Sequence, residues 1–304
     1  MTAQELNSTF GIAGVLHFEE ELSGLVRAQI TTSAAEATIY LQGAHLTHWR
    51  PTGQPPVLFT STQSPFEPGK SIRGGIPVVF PWFGRHSGPE LPGQQYDMHG
   101  FARIVPWAVR SVSTNGDEIQ LTFSLSANDQ SRALGYAAFR LEYTFHIGHT
   151  LRAQFDVYND AAEPLQFEEA LHTYFSIEDI DKTTVEGLAG AKYLDSGDHF
   201  AVKVQEESLL RFVRHTDHIY LDTTATCIIH DAGNNRRISV EKSGSQTTVV
   251  WNPSREVAAN LPGLLPADRR HFICVETANA HGNRLTLAPG AHHRLSANIT
   301  VLPV

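Results

Sequence analysis

The sequence predicts an all-β chain of antiparallel strands, and three observations carry that prediction. Period-two alternation runs through most apolar segments, clusters of Gly, Pro, Asn and Asp interrupt them at short intervals, and few windows show a 3.6-residue period. In EIQLTFSLS, Ile119, Leu121, Phe123 and Leu125 alternate with polar residues. Leu141, Tyr143, Phe145 and Ile147 do so in LEYTFHI, and Leu151, Ala153, Phe155 and Val157 in LRAQFDVY. Each run has one buried face, because successive strand side chains point to opposite sides. The pattern recurs in ATIYLQ (37–42), TTVVW (247–251), FICVE (272–276) and LSANITV (295–301). STNGDE (113–118), YNDAAEP (158–164) and DAGNNRR (231–237) read as turns, and HIGHT joins two alternating runs as a hairpin. EESLLRFV (206–213) offers at most one or two helical turns. Hairpins throughout, with little helix, predict a sandwich of antiparallel sheets.

No linker divides the chain. The Pro-rich patches at 51–56 and 89–93 are short and lie between strand-like segments, so residues 26–304 are expected to form one β-sandwich domain. Residues 1–25 read as an N-terminal extension or edge strand, with IAGVLHF as the strand and the ten residues before it as a frayed end. A length of 304 residues with 41% hydrophobic and 18% charged suffices for one large core. The formal charge is -9, from 23 Lys+Arg against 32 Asp+Glu, and no basic run follows a phosphate backbone, which excludes nucleic acid as a partner. An anionic ligand would be repelled at long range. Its capture would depend on a few locally placed arginines. Cys227 and Cys274 both sit in apolar runs, which rules out a disulfide framework. The start of the chain lacks a basic region followed by an apolar one, and no run approaches the roughly 18 apolar residues of a membrane helix. A cytoplasmic monomer without membrane contact is expected.

Several segments combine reactive side chains with shaped backbone. In SIRGGIPVVFPWFG (71–84), two glycines follow Arg73 and two prolines enclose the next apolar residues, so Arg73 sits on a shaped loop; alone, such an arginine is a solvated turn residue. HGFAR (99–103) sets His99 and Arg103 four apart around Phe101, on one face if the segment is a strand. ALHTYF (170–175) puts His172 on the face of Ala170 and Tyr174. In ICVETAN, Glu276 closes an apolar strand just before a polar turn. His172 has the ordinary alternative of a core histidine held by a carbonyl, Glu276 that of a solvated strand-end carboxylate, and Asp217 in TDHIY that of a turn former. Sixteen histidines occur, yet HxH or HExxH spacing with a carboxylate cluster is missing, and His292 and His293, being adjacent, point to opposite faces of a strand. No metal is expected. No GxSxG, P-loop or dinucleotide glycine motif occurs either.

In order and spacing, SIRGGIPVVFPWFG, HGFAR, ALHTYF, TDHIY, VVWNP (249–253) and ICVETAN resemble the aldose 1-epimerase superfamily, and within it the hexose-6-phosphate mutarotases, across about residues 30 to 304. The resemblance implies a galactose-mutarotase-like β-supersandwich of antiparallel sheets with a sugar cleft across one sheet. By it, His172 and Glu276 match the catalytic pair, Arg73 and Arg103 the phosphate-associated arginines, and His99 and Asp217 sugar-contacting positions. The galactose mutarotase branch carries an NHLHGG-like segment where this chain has MHGFAR, which favours the phosphosugar branch.

The implied chemistry is self-sufficient. Interconverting α and β anomers requires removing the proton of the C1 hydroxyl and protonating the ring oxygen, so one base and one acid suffice and no cofactor is implied. Glu276 as carboxylate would take the O1 proton and protonated His172 would donate to O5, His172 needing only a modest upward shift from a nearby carboxylate. The partner implied is a small-molecule sugar phosphate, glucose 6-phosphate first. An epimerase of unphosphorylated aldoses would not need Arg73 and Arg103, whereas a non-catalytic sugar-binding module would use Asp217 and aromatics such as Trp82 but not both His172 and Glu276.

Overall fold

Alternating apolar residues sort the strands onto sheets whose two faces differ. In the computed structural model the described residues are 1–304 except 87, 89–92, 94, 95 and 214, so the Pro-rich patch at 89–93 falls largely outside them. Among the described residues four sheets form, with four, two, eight and nine strands, and every strand pairing is antiparallel. The nine-stranded sheet carries the meander of Glu118–Ser126, Arg140–Ile147 and Thr150–Tyr158, the last two joined at HIGHT. Its inward aromatics Phe123, Tyr143, Phe145 and Phe155 belong to one core with Leu171, Phe175, Val250, Ile273 and Val275 of the eight-stranded sheet. Each such side chain contributes about 1.5–3 kcal/mol by leaving water.

The eight-stranded sheet runs Ala201–Val204, Lys192–Asp195, Thr216–Tyr220, Thr247–Asn252, Phe272–Asn279, Glu169–Leu171 and Val78–Val79, and Tyr174–Ser176 also pairs with Phe272–Asn279. The strand Phe272–Asn279 shows why the site forms where it does. Ile273 and Val275 point into the main core, while Phe272 and Cys274 join a small outer cluster with Tyr174, Ala258 and Leu264. Ala278 joins another with Val79, Ala170, Ile219 and Val249. Glu276 shares their phase and lies between the two outer clusters, on the face turned away from the main core.

Two expectations about local structure are corrected. Residues Ala3–Phe10 form a helix rather than a frayed end, because Thr2 and Glu5 make a reciprocal capping box and Leu6 is buried. Within 206–213, Leu209–Arg211 is a strand paired with Thr183–Glu186; three residues are too few for a period to be read from the sequence. The border strand of the four-stranded sheet is Leu16–Glu20, which overlaps IAGVLHF at Leu16, His17 and Phe18. Among the described residues, no helix is long and apolar enough to cross a membrane.

The two glycines after Arg73 serve backbone approach. Gly75 has φ +63°, and a Cβ there would stand 2.2 Å from the Leu46 carbonyl oxygen. Gly75→Ala is therefore expected to lower unfolding stability by about 1–3 kcal/mol in denaturant titrations. An unchanged midpoint would show that this crossing is not tight.

Candidate active site

Strand register brings His172 and Glu276 together. Glu169 pairs with Asn279, Ala170 with Ala278 and Leu171 with Thr277, and the same register resumes as Tyr174 with Cys274, so His172 falls opposite Glu276. The ladder is interrupted at the histidine itself. Thr173 N–H donates to Leu171 O at 2.9 Å, a γ-turn centred on His172, whose own N–H donates to Pro77 O at 3.1 Å. The His172 Nε2 and Glu276 Oε1 atoms lie 3.3 Å apart, with their side chains only 9% and 1% exposed. Glu276 is thus a buried mid-strand residue and not a solvated strand end, because the strand continues to Asn279.

The other four singled-out residues border the same patch. His172 meets His99 edge-on at 5.3 Å and stacks on Tyr174 at 4.9 Å. Arg73 Nη1 donates to Tyr174 Oη at 3.3 Å and Nη2 to Pro262 O at 3.4 Å, while Arg103 Nη2 donates to Met98 O at 2.6 Å. Neither arginine is ion-paired among the described residues, and the Nε of each is buried without a hydrogen-bond partner. HGFAR is a turn and not a strand: His99 has φ 65°, Gly100 has φ 75°, and the buried Phe101 anchors the loop as its apolar character implies. His99 Nδ1 accepts from the Gly84 N–H at 3.1 Å, which leaves the proton of the neutral ring on Nε2. Asp217 lies in Thr216–Tyr220, opposite Trp251, which in turn faces Cys274. It is a strand residue, two strands from Glu276.

The electrostatics correct one expectation. Burial, then the charges of Arg103 and Arg73, push the His172 imidazole down to about 3 instead of raising it. Burial and then Asp217 lift Glu276 well above the usual carboxylate range, against the opposing pull of Arg103. Both shifts disfavour the charged forms, and so an ion pair, across the 3.3 Å contact. Burial and the nearby arginines likewise keep His99 neutral, and burial followed by Arg73 lowers Arg103 to about 10, which leaves it a cation at neutral pH.

Residues not singled out in the sequence complete the patch. Tyr174 links the Arg73 guanidinium to the His172 ring, and Trp251 meets the same ring edge-on at 6.0 Å. His45 is fully buried, with its Nε2 2.7 Å from Gly74 O, directly behind Arg73 in sequence. Its only sequence signal is a histidine between apolar residues. Trp82 instead belongs to the main core, packed by Tyr96, Phe101 and Tyr136, so it offers no exposed sugar platform. His172, Cys274 and Glu276 each place one donor atom within 4.8 Å of the others. The donor types suit zinc, but burial holds the Cys274 thiol protonated and the two guanidiniums oppose a divalent cation.

The sequence profile of the family described as aldose 1-epimerase matches residues 27–300. A protein of Salmonella typhimurium, provisionally named a glucose-6-phosphate 1-epimerase, is 34% identical over 245 residues, spanning 81% of this chain and 80% of its own. The crystal structure of a provisionally named mutarotase from Salmonella typhimurium superposes with a TM-score of 0.89 at 30% identity, over 97% of this chain and 96% of that one. Galactose 1-epimerase from Lactobacillus acidophilus shares the fold, with a TM-score of 0.71 at 14% identity over 95% of this chain and 98% of its own. The galactose-mutarotase-like arrangement of antiparallel sheets implied by the motifs is the architecture found.

Proposed function

Since the chain belongs to the aldose 1-epimerase family, we propose that it interconverts the α and β anomers of a hexose 6-phosphate, glucose 6-phosphate first, by acid–base opening and reclosure of the ring. One observation carries the phosphate in this reading: two neighbouring arginines without an ion-pair partner among the described residues lie beside the His172–Glu276 pair. Burying a cation without a counter-charge is costly, so such a pair is best understood as built for an anion. Arg73 and Arg103 hold the phosphate, His99 Nε2–H and Asp217 contact sugar hydroxyls, and His172 with Glu276 moves the proton.

Phosphate binding also prepares the chemistry. Its negative charge offsets the arginine field that disfavours a protonated His172, so the one proton that the pair shares in this mechanism moves to His172 across the 3.3 Å contact. The Glu276 carboxylate then accepts the O1 proton as protonated His172 donates to O5. The C1–O5 bond breaks, the aldehyde turns about C1–C2, and the reverse transfers close the ring on its other face. Magnetisation-exchange NMR on glucose, galactose and their 6-phosphates tests the reading. Faster anomer exchange of a 6-phosphate than of the free hexose is expected, and equal efficiency would replace it with an epimerase of unphosphorylated aldoses.

The pH dependence follows from the shifts at the pair. The singly protonated pair is the working form, lost at low pH when His172 gains a second proton and at high pH when Glu276 yields the only one. With His172 held near 3, kcat/KM on free hexose should not fall as pH drops through 6.5, where an ordinary histidine titrates. It should fall on the alkaline side, at a pH well above the carboxylate range. Free hexose is the substrate to use, because a phosphate monoester itself titrates near pH 6. An acid limb at about 6.5 would contradict a depressed His172.

A further inference from the structure

We propose that Glu169, Asn279 and His293 act as a positioning cluster that holds His172 in register with Glu276; the inference rests on the reading of that pair as the acid–base centre. Glu169 Oε1 accepts from Asn279 Nδ2 at 2.8 Å and from His293 Nε2 at 2.9 Å. Asn279 Nδ2 also donates to Gly244 O at 2.7 Å, its Oδ1 accepts the Gln246 N–H at 2.9 Å, and His293 Nε2 lies 3.0 Å from Gly244 O. Glu169 and Asn279 face one another directly across the ladder, three residues before His172 and three after Glu276 respectively. His293 comes from His292–Pro303, a strand of the nine-stranded sheet, so the cluster ties both large sheets at this point. Its neighbour His292 turns the other way, to Asp156 at 2.6 Å.

The strand needs such a hold. Glu169–Leu171 is only three residues long, and its ladder with Phe272–Asn279 lapses at the γ-turn on His172, where the histidine N–H turns to Pro77 O before the register resumes at Tyr174. A slip by one residue exchanges the faces of a strand and would turn His172 from the outer patch into the core. A buried Glu at 0% exposure and Asn at 1% are poor choices for stability alone, since apolar packing would serve as well or better. Setting register is the best-attested use of such buried polar groups.

The test measures kcat and KM of the full chain on glucose 6-phosphate and on free glucose in His293→Ala, Glu169→Leu and the conservative His293→Gln. His293→Ala is expected to lower kcat on both substrates by on the order of ten- to a hundredfold, as sub-ångström misplacement of reacting groups does. KM should stay within about twofold, since the cluster touches no proposed binding group. His293→Gln, which keeps an N–H donor, should restore most of kcat. If His293→Ala is folded by circular dichroism and shows native kcat with only a lower melting temperature, the cluster is structural and the inference is overturned. If Glu169→Leu fails to fold, the contrast between the two His293 variants still decides. An inactive native protein would refute the proposed function instead, so the two failures are distinguishable.

Discussion

Replacing His172 by Asn or Glu276 by Gln should slow anomer exchange by roughly two to four orders of magnitude, the usual cost of removing a positioned acid or base. Both variants should remain folded. Gln keeps the shape of Glu276, whose charged form burial already disfavours, and Asn at 172 removes a ring that is neutral at rest. The double variant should be little slower than the worse single variant, because an acid and a base that share one proton act as a unit. Saturation-transfer NMR on a hexose 6-phosphate measures this directly. A folded double variant with a near-native rate would remove the proposed mechanism, whatever the family.

The strands were legible because period two survives in their core faces. Phe123, Phe145 and Phe155 alternate in sequence and enter one core in space. The helix at Ala3–Phe10 is hard to read from the sequence because its apolar face, Ala3, Leu6 and Phe10, spans only two turns, too short for a 3.6-residue period to stand out beside the cap of Thr2 with Glu5. The His172–Glu276 encounter was suggested by two ionisable residues on apolar strands, but the sequence gives no pairing register. That register is set by contacts such as Glu169 with Asn279, over a hundred residues apart along the chain. The condition that would put His99 and Arg103 on one face, a strand at HGFAR, is not met for a local reason, since His99 and Gly100 both adopt positive φ. The direction of the His172 shift was misread because the sequence shows a carboxylate partner but neither the depth of burial nor the proximity of both arginines. Nothing in the sequence sets Tyr174 and His45 apart from core residues, which by burial they are.

Arg73→Ala and Arg103→Ala should each weaken capture of the 6-phosphate substrate by about 1.5–3 kcal/mol, roughly ten- to a hundredfold in kcat/KM, without slowing the reaction with free glucose, which has no phosphate contact to lose and whose acid, His172, the arginine charges only depress. The separation follows from the geometry. Arg73 reaches His172 only through Tyr174, and Arg103 is hydrogen-bonded to Met98 O, so neither is bonded to the proposed acid–base pair. Added sulfate should compete with the phosphosugar in the native protein and compete less in either variant, since it occupies the same cationic site. Lys at either position should recover part of the loss, because it restores the charge but not the two-pronged guanidinium fork. The variants also probe the resting proton. Removing a positive charge that depresses His172 should move its titration upward, so the acid limb on free glucose should appear at higher pH in Arg103→Ala than in the native protein. If both arginine variants lose activity on the two substrates in parallel, the arginines serve the proton transfer and not the phosphate, and the substrate reverts to an unphosphorylated aldose.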